Sequence, residues 1–288
     1  MTAHEVHEIS IDALLPAEMA VRAESIGVRK SAMPFWTVLT LAVLAGAFIA
    51  LGAIFATTVA AGLAGVVPYG IARLLIGLVF SLGLILVVVG GAELFTGNNL
   101  IVLAWAGGKV STGALLRNWG IVYLGNLIGS LGTALMMFMS KQYAFGGGSV
   151  GTAALSIANS KVHLGFVQAV FLGIMCNVLV CLAVWMTYSA RSTVDKIMAI
   201  VFPITAFVAG GFEHSIANMY FIPIALLIKE YDPAFTLGTK LELDGLTWQT
   251  FFINNLVPVT IGNIIGGAVL VAIIYWFVFL RHASKEKQ

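Results

Sequence analysis

Long apolar runs without charged residues dominate the chain. Residues 31–72, 118–140, 162–190 and 245–280 contain no Asp, Glu, Lys or Arg, and the runs 74–108 and 197–228 contain one Glu each. About 20 consecutive apolar residues suffice for a helix to cross a bilayer. The pattern therefore predicts an all-α membrane protein with six transmembrane segments, near residues 36–62, 70–106, 115–140, 163–190, 196–229 and 249–280.

Composition agrees with this reading. The 288 residues are 60% hydrophobic and only 10% charged, with a mean hydropathy of +1.00, whereas soluble domains carry about 25% charged residues. A soluble fold of this size cannot bury so much apolar surface. The formal net charge of +2 gives no electrostatic reason to expect a nucleic acid partner.

Two polar interruptions share one spacing. "GGAELFTGNNL" (90–100) lies in the second predicted segment and "GGFEHSIANMY" (210–220) in the fifth, and each contains Gly-x-Glu-x4-Asn. The matched residues include Glu93 and Asn98 in the first and Glu213 and Asn218 in the second. Each set contains three segments, which is an odd number of membrane crossings. The second set therefore enters the membrane from the opposite side. This predicts an inverted three-plus-three repeat, which transporters build around broken helices.

The interruptions themselves are poor helix formers. Gly, Asn, Ser and Thr compete with helical hydrogen bonding, and non-helical backbone at membrane depth is tolerated only against protein or a water-filled cavity. We therefore expect the second and fifth helices to be broken and each break to line a cavity. Independent origin of the two patterns by chance is the alternative.

The embedded carboxylates need a partner, because an unpaired charge at membrane depth costs several kcal/mol. Glu93 and Glu213 must be protonated or held by backbone N–H groups at the breaks. We expect a structural role in which each carboxylate caps the half-helix that begins after the break.

His214 is different, because the matching residue in the first interruption is the apolar Leu94. A histidine titrates near neutral pH, and an ionisable group within the membrane is by default functional. The alternative is a core histidine satisfied by Asn177 or a backbone carbonyl. Asn177 itself is expected to form an interhelical hydrogen bond.

Lys161 has two possible roles at the edge of the fourth segment. It could anchor the helix by extending to the interface, or it could attract an anion to an outer vestibule. Cys176 and Cys181 are five residues apart in one apolar run, which does not suit a disulfide. They are expected to be packing residues.

The chain divides into three parts. Residues 1–30 contain "IDALLPAEMAVRAESIGVRK", which predicts a cytoplasmic amphipathic helix with Pro16 in its first turn and Gly27 as its C-cap. Residues 31–281 would form the six-segment transmembrane domain, and residues 282–288 a cytoplasmic tail. The connection "YAFGGGSVGTAALSIANSK" is expected to be a small flexible loop without catalytic residues.

Orientation follows from the basic residues. Ten of the fifteen lie on the side that holds both termini, and Lys and Arg mark the cytoplasmic side. These ten are Arg22, Arg29, Lys30, Lys109, Arg117, Arg191, Lys196, Arg281, Lys285 and Lys287.

Enzymatic sites are not evident. The sequence has no metal-spaced His or Cys set, no phosphate loop and no nucleophile elbow, so we expect neither an enzyme nor a cofactor. A neutral-solute channel of the aquaporin or glycerol type would also have six segments, but its paired Asn-Pro-Ala breaks are absent. A membrane-embedded enzyme and a purely structural assembly protein are further alternatives.

Five segments carry a resemblance to a known family. "GAELFTGNN", "KVH", "NVLVCLAVWM", "GFEHSIANM" and "NNLVPVTIGNIIGG" are similar to the signature segments of the formate/nitrite transporter family, and most similar to its bacterial formate channels. The resemblance covers essentially the whole chain.

The resemblance implies an aquaporin-like fold and a homopentamer with one pore per protomer in the bacterial inner membrane. It implies passage of formate and related small monovalent anions, such as nitrite, acetate, lactate or hydrosulfide, with or without a proton. It also implies that the N-terminal helix helps to close the cytoplasmic mouth at low pH.

The resemblance also implies roles for particular residues. Lys161 would draw in the anion, Thr96 would form a hydrogen bond with His214, and His214 would face the substrate between two apolar constrictions. The residues that resemble constriction residues are Phe80, Leu84 and Phe207, with Leu94 and Phe95 beside the first break.

Overall fold

The structure is a computed structural model that describes residues 13–63 and 65–281, and every regular element in these ranges is helical. The all-α prediction is confirmed. The expected tail at 282–288 and the first twelve residues of the expected N-terminal segment lie outside the described residues.

Twelve helices, numbered α1 to α12, follow one another along the described chain. The first six are α1 (Pro16–Ala32), α2 (Phe35–Ala60), α3 (Tyr69–Gly90), α4 (Phe95–Asn98), α5 (Val102–Ala106) and α6 (Thr112–Met139). The second six are α7 (Ser149–Val162), α8 (Phe166–Thr187), α9 (Thr193–Ala209), α10 (Ser215–Tyr231), α11 (Pro233–Thr239) and α12 (Trp248–Leu280). Short 3₁₀ turns lie at Asn99–Ile101 and Gln142–Ala144, and α12 contains π-helical stretches at Phe251–Leu256, Ile265–Ile273 and Trp276–Leu280.

Five of these helices are long and apolar enough to cross a membrane: α2, α3, α6, α8 and α12. The protein is therefore a membrane protein. Pairs of these helices pack along much of their lengths, α2 against α3 and α6, and α8 against α12.

Glycines allow two of these pairs to approach closely. A Cβ added at Gly129 of α6 would lie 2.0 Å from the carbonyl oxygen of Val43 on α2, and one added at Gly262 of α12 would lie 2.2 Å from that of Val170 on α8. No larger residue fits at these distances. Small residues at helix crossings are how membrane helices gain close packing, so these glycines set the separation of the two pairs.

Two local expectations are wrong. The connection after α6 is not a flexible loop, because Ser149–Val162 forms α7, whose buried Ala154, Leu155 and Ala158 join the hydrophobic core. Gly27 is not a C-cap, because α1 continues to Ala32. A Cβ at Gly27 would lie 3.1 Å from the Cβ of Ala104, so the glycine permits close packing of α1 on α5.

Replacing Gly129 tests the close crossing. We expect Gly129→Ala to destabilise the protein by about 1–3 kcal/mol, the usual cost of overpacking, and to lower the midpoint of thermal unfolding in detergent. Gly132→Ala on the same helix is the matched control, since an added Cβ there meets no atom within 4 Å and alanine favours the helix by about 1 kcal/mol. Equal midpoints for the two variants would contradict the assignment.

Candidate functional site

The first interruption separates α3 from α4. α3 ends at Gly90, and Gly91 has a φ of +80°, a left-handed conformation that glycine adopts without strain. The chain is extended at Leu94, with φ −107° and ψ 126°, before helix resumes at Phe95. The backbone N–H of Glu93 is satisfied by the carbonyl of Leu41 on α2, at 3.2 Å.

The second interruption repeats this path. α9 ends at Ala209, Gly211 has a φ of +73°, and His214 is extended with φ −115° and ψ 113° before α10 begins. The N–H of Glu213 donates to the carbonyl of Leu172 on α8, at 3.2 Å. Leu94 and His214 therefore occupy equivalent backbone positions with different side chains.

The carboxylate of the first break is paired and hydrogen-bonded. Glu93 lies 2.9 Å from Nζ of Lys30 on α1 and accepts a hydrogen bond of 2.7 Å from Asn98 Nδ2. Asn98 also donates to Asn118 on α6, whose own Nδ2 donates to the carbonyl of Lys30. Pairing with a lysine and an amide supplies the compensation that a buried carboxylate requires.

The second break contains the same cluster. Glu213 lies 2.6 Å from Nζ of Lys161 on α7 and accepts a 2.7 Å hydrogen bond from Asn218 Nδ2. Asn218 donates to Asn255 on α12, and Asn255 Nδ2 donates to the carbonyl of Lys161. Glu, Lys and two Asn therefore form the same four contacts at both breaks. The clusters differ at the first of these asparagines, because Lys30 also donates to Asn98 Oδ1 at 2.8 Å, whereas Asn218 Oδ1 has no partner in the described structure.

The backbone N–H groups at the starts of α4 and α10 are capped by asparagines and not by the expected glutamates. In the described residues the Glu93 and Glu213 carboxylates accept from side chains, not from backbone N–H groups, so the expected capping role is wrong. Asn126 on α6 accepts from the N–H of Phe95 at 2.9 Å, and Asn263 on α12 accepts from that of Ser215 at 2.9 Å. Both amides also donate to carbonyls of the break and the neighbouring helix.

His214 connects the two breaks. Its Nε2 lies 3.0 Å from Oγ1 of Thr96, and its Nδ1 accepts the backbone N–H of Ala217 at 3.0 Å. Because Nδ1 is an acceptor, the neutral ring carries its proton on Nε2 and donates it to the Thr96 hydroxyl. A doubly protonated ring would place two N–H groups against each other at Nδ1. This hydrogen-bond pattern therefore fits a neutral His214.

The Asn177 side chain forms hydrogen bonds with the first break and not with His214. Its amide donates to Asn99 Oδ1 at 2.9 Å and to the carbonyl of Asn263 at 2.6 Å, with a longer contact of 3.4 Å to the carbonyl of Thr96. Cys181 donates to the same Thr96 carbonyl. Both cysteines are buried and free.

Two cavities approach the breaks from opposite sides. The α7-side cavity has a volume of about 920 Å³, and its lining includes Phe80, Lys161, Phe207 and His214. The α1-side cavity has a volume of about 200 Å³, and its lining includes Lys30, Leu84, Leu94 and Glu93.

Aromatic rings surround the histidine on its cavity side. The centroids of Phe80 and Phe207 are 5.6 Å apart in an edge-to-face arrangement, and Phe207 stacks on the His214 ring with centroids 6.0 Å apart. Leu84 and Leu94 are each 2% exposed. The His214–Thr96 pair therefore has aromatic rings on its α7 side, while Leu84 and Leu94 line the cavity on the α1 side.

Three predicted pore residues line neither cavity. Phe95 packs its ring against Trp119 and Tyr123 of α6, with centroid distances of 5.9 and 4.9 Å, so its expected role as a constriction does not fit its position. Thr96 and Asn177 are fully buried. Thr96 reaches the α7-side cavity only through its hydrogen bond to His214.

Sequence reasoning missed the pairing of one lysine and the shared role of four asparagines. Lys30 was counted only as a basic residue of the cytoplasmic side, yet it pairs with Glu93 as Lys161 pairs with Glu213. Asparagines occur eight residues apart in both the third and the sixth predicted segments, and this repeated spacing was the available signal. The four are Asn118, Asn126, Asn255 and Asn263.

Comparison with known proteins identifies the family. The profile of the formate/nitrite transporter family matches residues 17–277. The chain belongs to the formate/nitrite transporter family. Membership in a family of transporters confirms the expectation that it is not an enzyme.

Relatives and solved structures of the family cover nearly the whole chain. It is 48% identical to the formate channel FocA of Escherichia coli K12 over 94% of this chain and 96% of that protein. It is 40% identical to the formate channel FocA of Haemophilus influenzae over 98% of this chain and 99% of that protein. A pentameric formate channel with formate bound is similar in structure, with a TM-score of 0.80, 46% identity, and coverage of 86% of this chain and 98% of that one.

Replacing Asn263 tests the capping network. Asn263→Ala would leave the N–H of Ser215 and the carbonyls of Gly173 and Glu213 without these partners. Each such buried group costs about 1–3 kcal/mol. We expect a clear loss of thermal stability in detergent. Asn159→Ala is the control, since the Asn159 amide makes one exposed hydrogen bond; an equal loss in both variants would refute the network's importance.

Proposed function

We propose that this chain forms a channel for formate and similar small monovalent anions, among them nitrite, acetate, lactate and hydrosulfide, in the bacterial inner membrane. The observation that carries the proposal is the His214–Thr96 pair, which is enclosed between apolar side chains and faces the larger cavity. Family membership and the relatives named as formate channels support the choice of anion.

The proposed architecture has six transmembrane segments. Five are the long apolar helices, and the sixth is α9 with α10, joined at the second break. The segment formed by α3, α4 and α5 is broken in the same manner. The equivalent backbone at Leu94 and His214, and the matched clusters around Glu93 and Glu213, support an inverted three-plus-three repeat of the aquaporin-like kind.

The proposed orientation places the α1 side in the cytoplasm. Lys30, Lys109 and Arg117 belong to this side, which carries the excess of basic residues. The α7-side cavity then faces out. Residues 31–281 form the channel domain, with α1 docked beneath it and the tail at 282–288 in the cytoplasm. By analogy with the pentameric relative, we propose that five copies assemble around a common axis in the lipid bilayer, each with its own pore.

Transport chemistry follows from the cost of desolvation. A bare anion is expensive to move through an apolar constriction. Between the constrictions, Nε2–H of His214 can donate to the anion once the anion displaces the hydroxyl of Thr96. Proton transfer from Nε2 would leave an imidazolate, because Nδ1 is occupied by the Ala217 N–H. The present geometry therefore favours a hydrogen bond to the anion, and co-transport of a proton requires movement of the first turn of α10.

A pH-dependent position of α1 is part of the proposal. α1 borders the α1-side cavity, and it is held there by the ion pairs Lys30–Glu93 and Lys109–Glu24. We infer that α1 helps to close the cytoplasmic mouth at low pH.

A neutral-solute channel is the second candidate. The enclosed polar pair between apolar constrictions would also suit a small uncharged solute, but the paired Asn-Pro-Ala breaks of water and glycerol channels are absent. Stopped-flow swelling of proteoliposomes in glycerol and in formate separates the two candidates, since swelling in glycerol alone would favour the second.

Replacing His214 tests the proposed function. His214→Phe keeps a planar ring but removes the donor, and loss of a hydrogen bond to a charged group costs about 1.5–3 kcal/mol. We expect formate flux into proteoliposomes to fall about tenfold or more. The matched control is His163→Phe, because His163 lines neither cavity. Unchanged rate and pH dependence in His214→Phe would refute the proposal.

A further inference from the structure

The two cavities differ in their ionisable lining. In the described part of the α1-side cavity, the charged residues are Lys30 and Glu93, which pair with each other. In the described part of the α7-side cavity they are Arg73, Lys161 and Glu213, with a neutral His214. Lys161 and Glu213 cancel, since their Nζ and Oε1 atoms are 2.6 Å apart. Arg73 is the charge that is left over.

Arg73 cannot lose this charge, because guanidinium stays protonated in proteins. Lys161, in contrast, is paired with the buried Glu213, and only 15% of its own side chain is exposed. A paired lysine presents a dipole to the cavity, and its field falls off faster than that of a single charge. The net positive potential of the α7-side cavity therefore comes from Arg73.

The position of Arg73 adds a second effect. Its guanidinium donates to the carbonyls of Val208 and, at 3.2 Å, Ala209, which belong to the last turn of α9. A helix C-terminus carries roughly half a negative charge, and here Val208 is itself part of the cavity lining. Uncompensated, these carbonyls would repel an anion that approaches His214.

Arg73 also lies at the second break. A Cβ added at Gly211 would be 3.7 Å from Arg73 Nη2, and Gly211 is three residues before His214. Arg73 emerges from the beginning of α3, so it joins the first half of the chain to the break in the second half. Its charge therefore acts where the cavity leads to the histidine.

We propose that Arg73 is the anion-recruiting residue of the α7-side cavity, where it supplies the net positive charge and neutralises the C-terminal end of α9. This proposal rests on the proposed function, with small monovalent anions as the ligand. It assigns to Arg73 the attraction that family resemblance assigns to Lys161. Because the charges of the α1-side cavity cancel, the effect belongs to one side of the membrane.

Formate uptake by right-side-out and inside-out membrane vesicles containing the full-length protein tests the proposal. Arg73→Gln removes the charge and keeps a polar side chain, whereas Arg73→Lys keeps the charge. Lys240→Gln is the matched control, because it removes an exposed charge that does not line the cavity. Uptake is measured against formate concentration at ionic strengths of about 0.01 and 0.1 M, where the screening length falls from about 30 to 10 Å.

For Arg73→Gln in right-side-out vesicles at low ionic strength, we expect the half-saturating formate concentration to rise about fivefold. Its dependence on salt should weaken, and the maximal rate should change much less. Arg73→Lys and Lys240→Gln should behave as the unmodified protein, and inside-out vesicles should show no effect of Arg73→Gln.

Three results would overturn the proposal. One is an unchanged half-saturating concentration in Arg73→Gln. Another is an Arg73→Lys variant that matches Arg73→Gln, which would indicate that the guanidinium acts only as a helix cap. The third is an equal effect from both sides. If Arg73→Gln does not fold, the salt dependence of the half-saturating concentration in the unmodified protein decides, and an equal dependence from the two sides of the membrane would overturn the proposal. Formate flux in the unmodified protein separates the two hypotheses: without it both fail, whereas with it only the role of Arg73 is refuted.

Discussion

Compensation of buried polar groups at the two breaks is the constraint on which the site depends. Each break exposes backbone groups in the interior of an apolar protein, where water cannot satisfy them. Asn126 and Asn263 bind these groups from the neighbouring helices, and a Glu–Lys pair with two further asparagines fixes the segment that follows. With these bonds made, the chain can hold an extended residue at the centre of the protein with the carboxylate and these backbone groups of each break paired.

The short helices α1 and α7 gain their importance from the same constraint. Each contributes the lysine that neutralises the carboxylate of one break, so neither is a passive appendage. Lys30 lines the α1-side cavity and also holds α1 in position through its ion pair with Glu93. Charged and amide side chains from neighbouring helices thus hold both breaks in place.

The two breaks differ in the residues that we propose to act on the anion. The matched clusters support both breaks in the same way, but the extended residue is Leu94 in one and His214 in the other. The side chain of His214 reaches across to Thr96 of the first break, and it faces the larger cavity together with two phenylalanines. The charges also differ. The lysine of each break is paired with a carboxylate, and among the described residues Arg73 has no counterpart in the lining of the α1-side cavity.

The sequence alone determined the helical class, the positions of the interruptions and the unmatched histidine, because all three depend on hydropathy and spacing along the chain. It did not determine what holds the breaks. Asn126, Asn263 and Lys30 act on residues far away in the chain, and only tertiary structure decides which buried donor meets which acceptor. The same reason explains the errors. The carboxylates were assigned to nearby backbone groups, Phe95 was assigned to the pore by family resemblance, and Lys161 was considered without its partner. Local patterns predict which groups need compensation, whereas the packing of the two halves decides where it comes from.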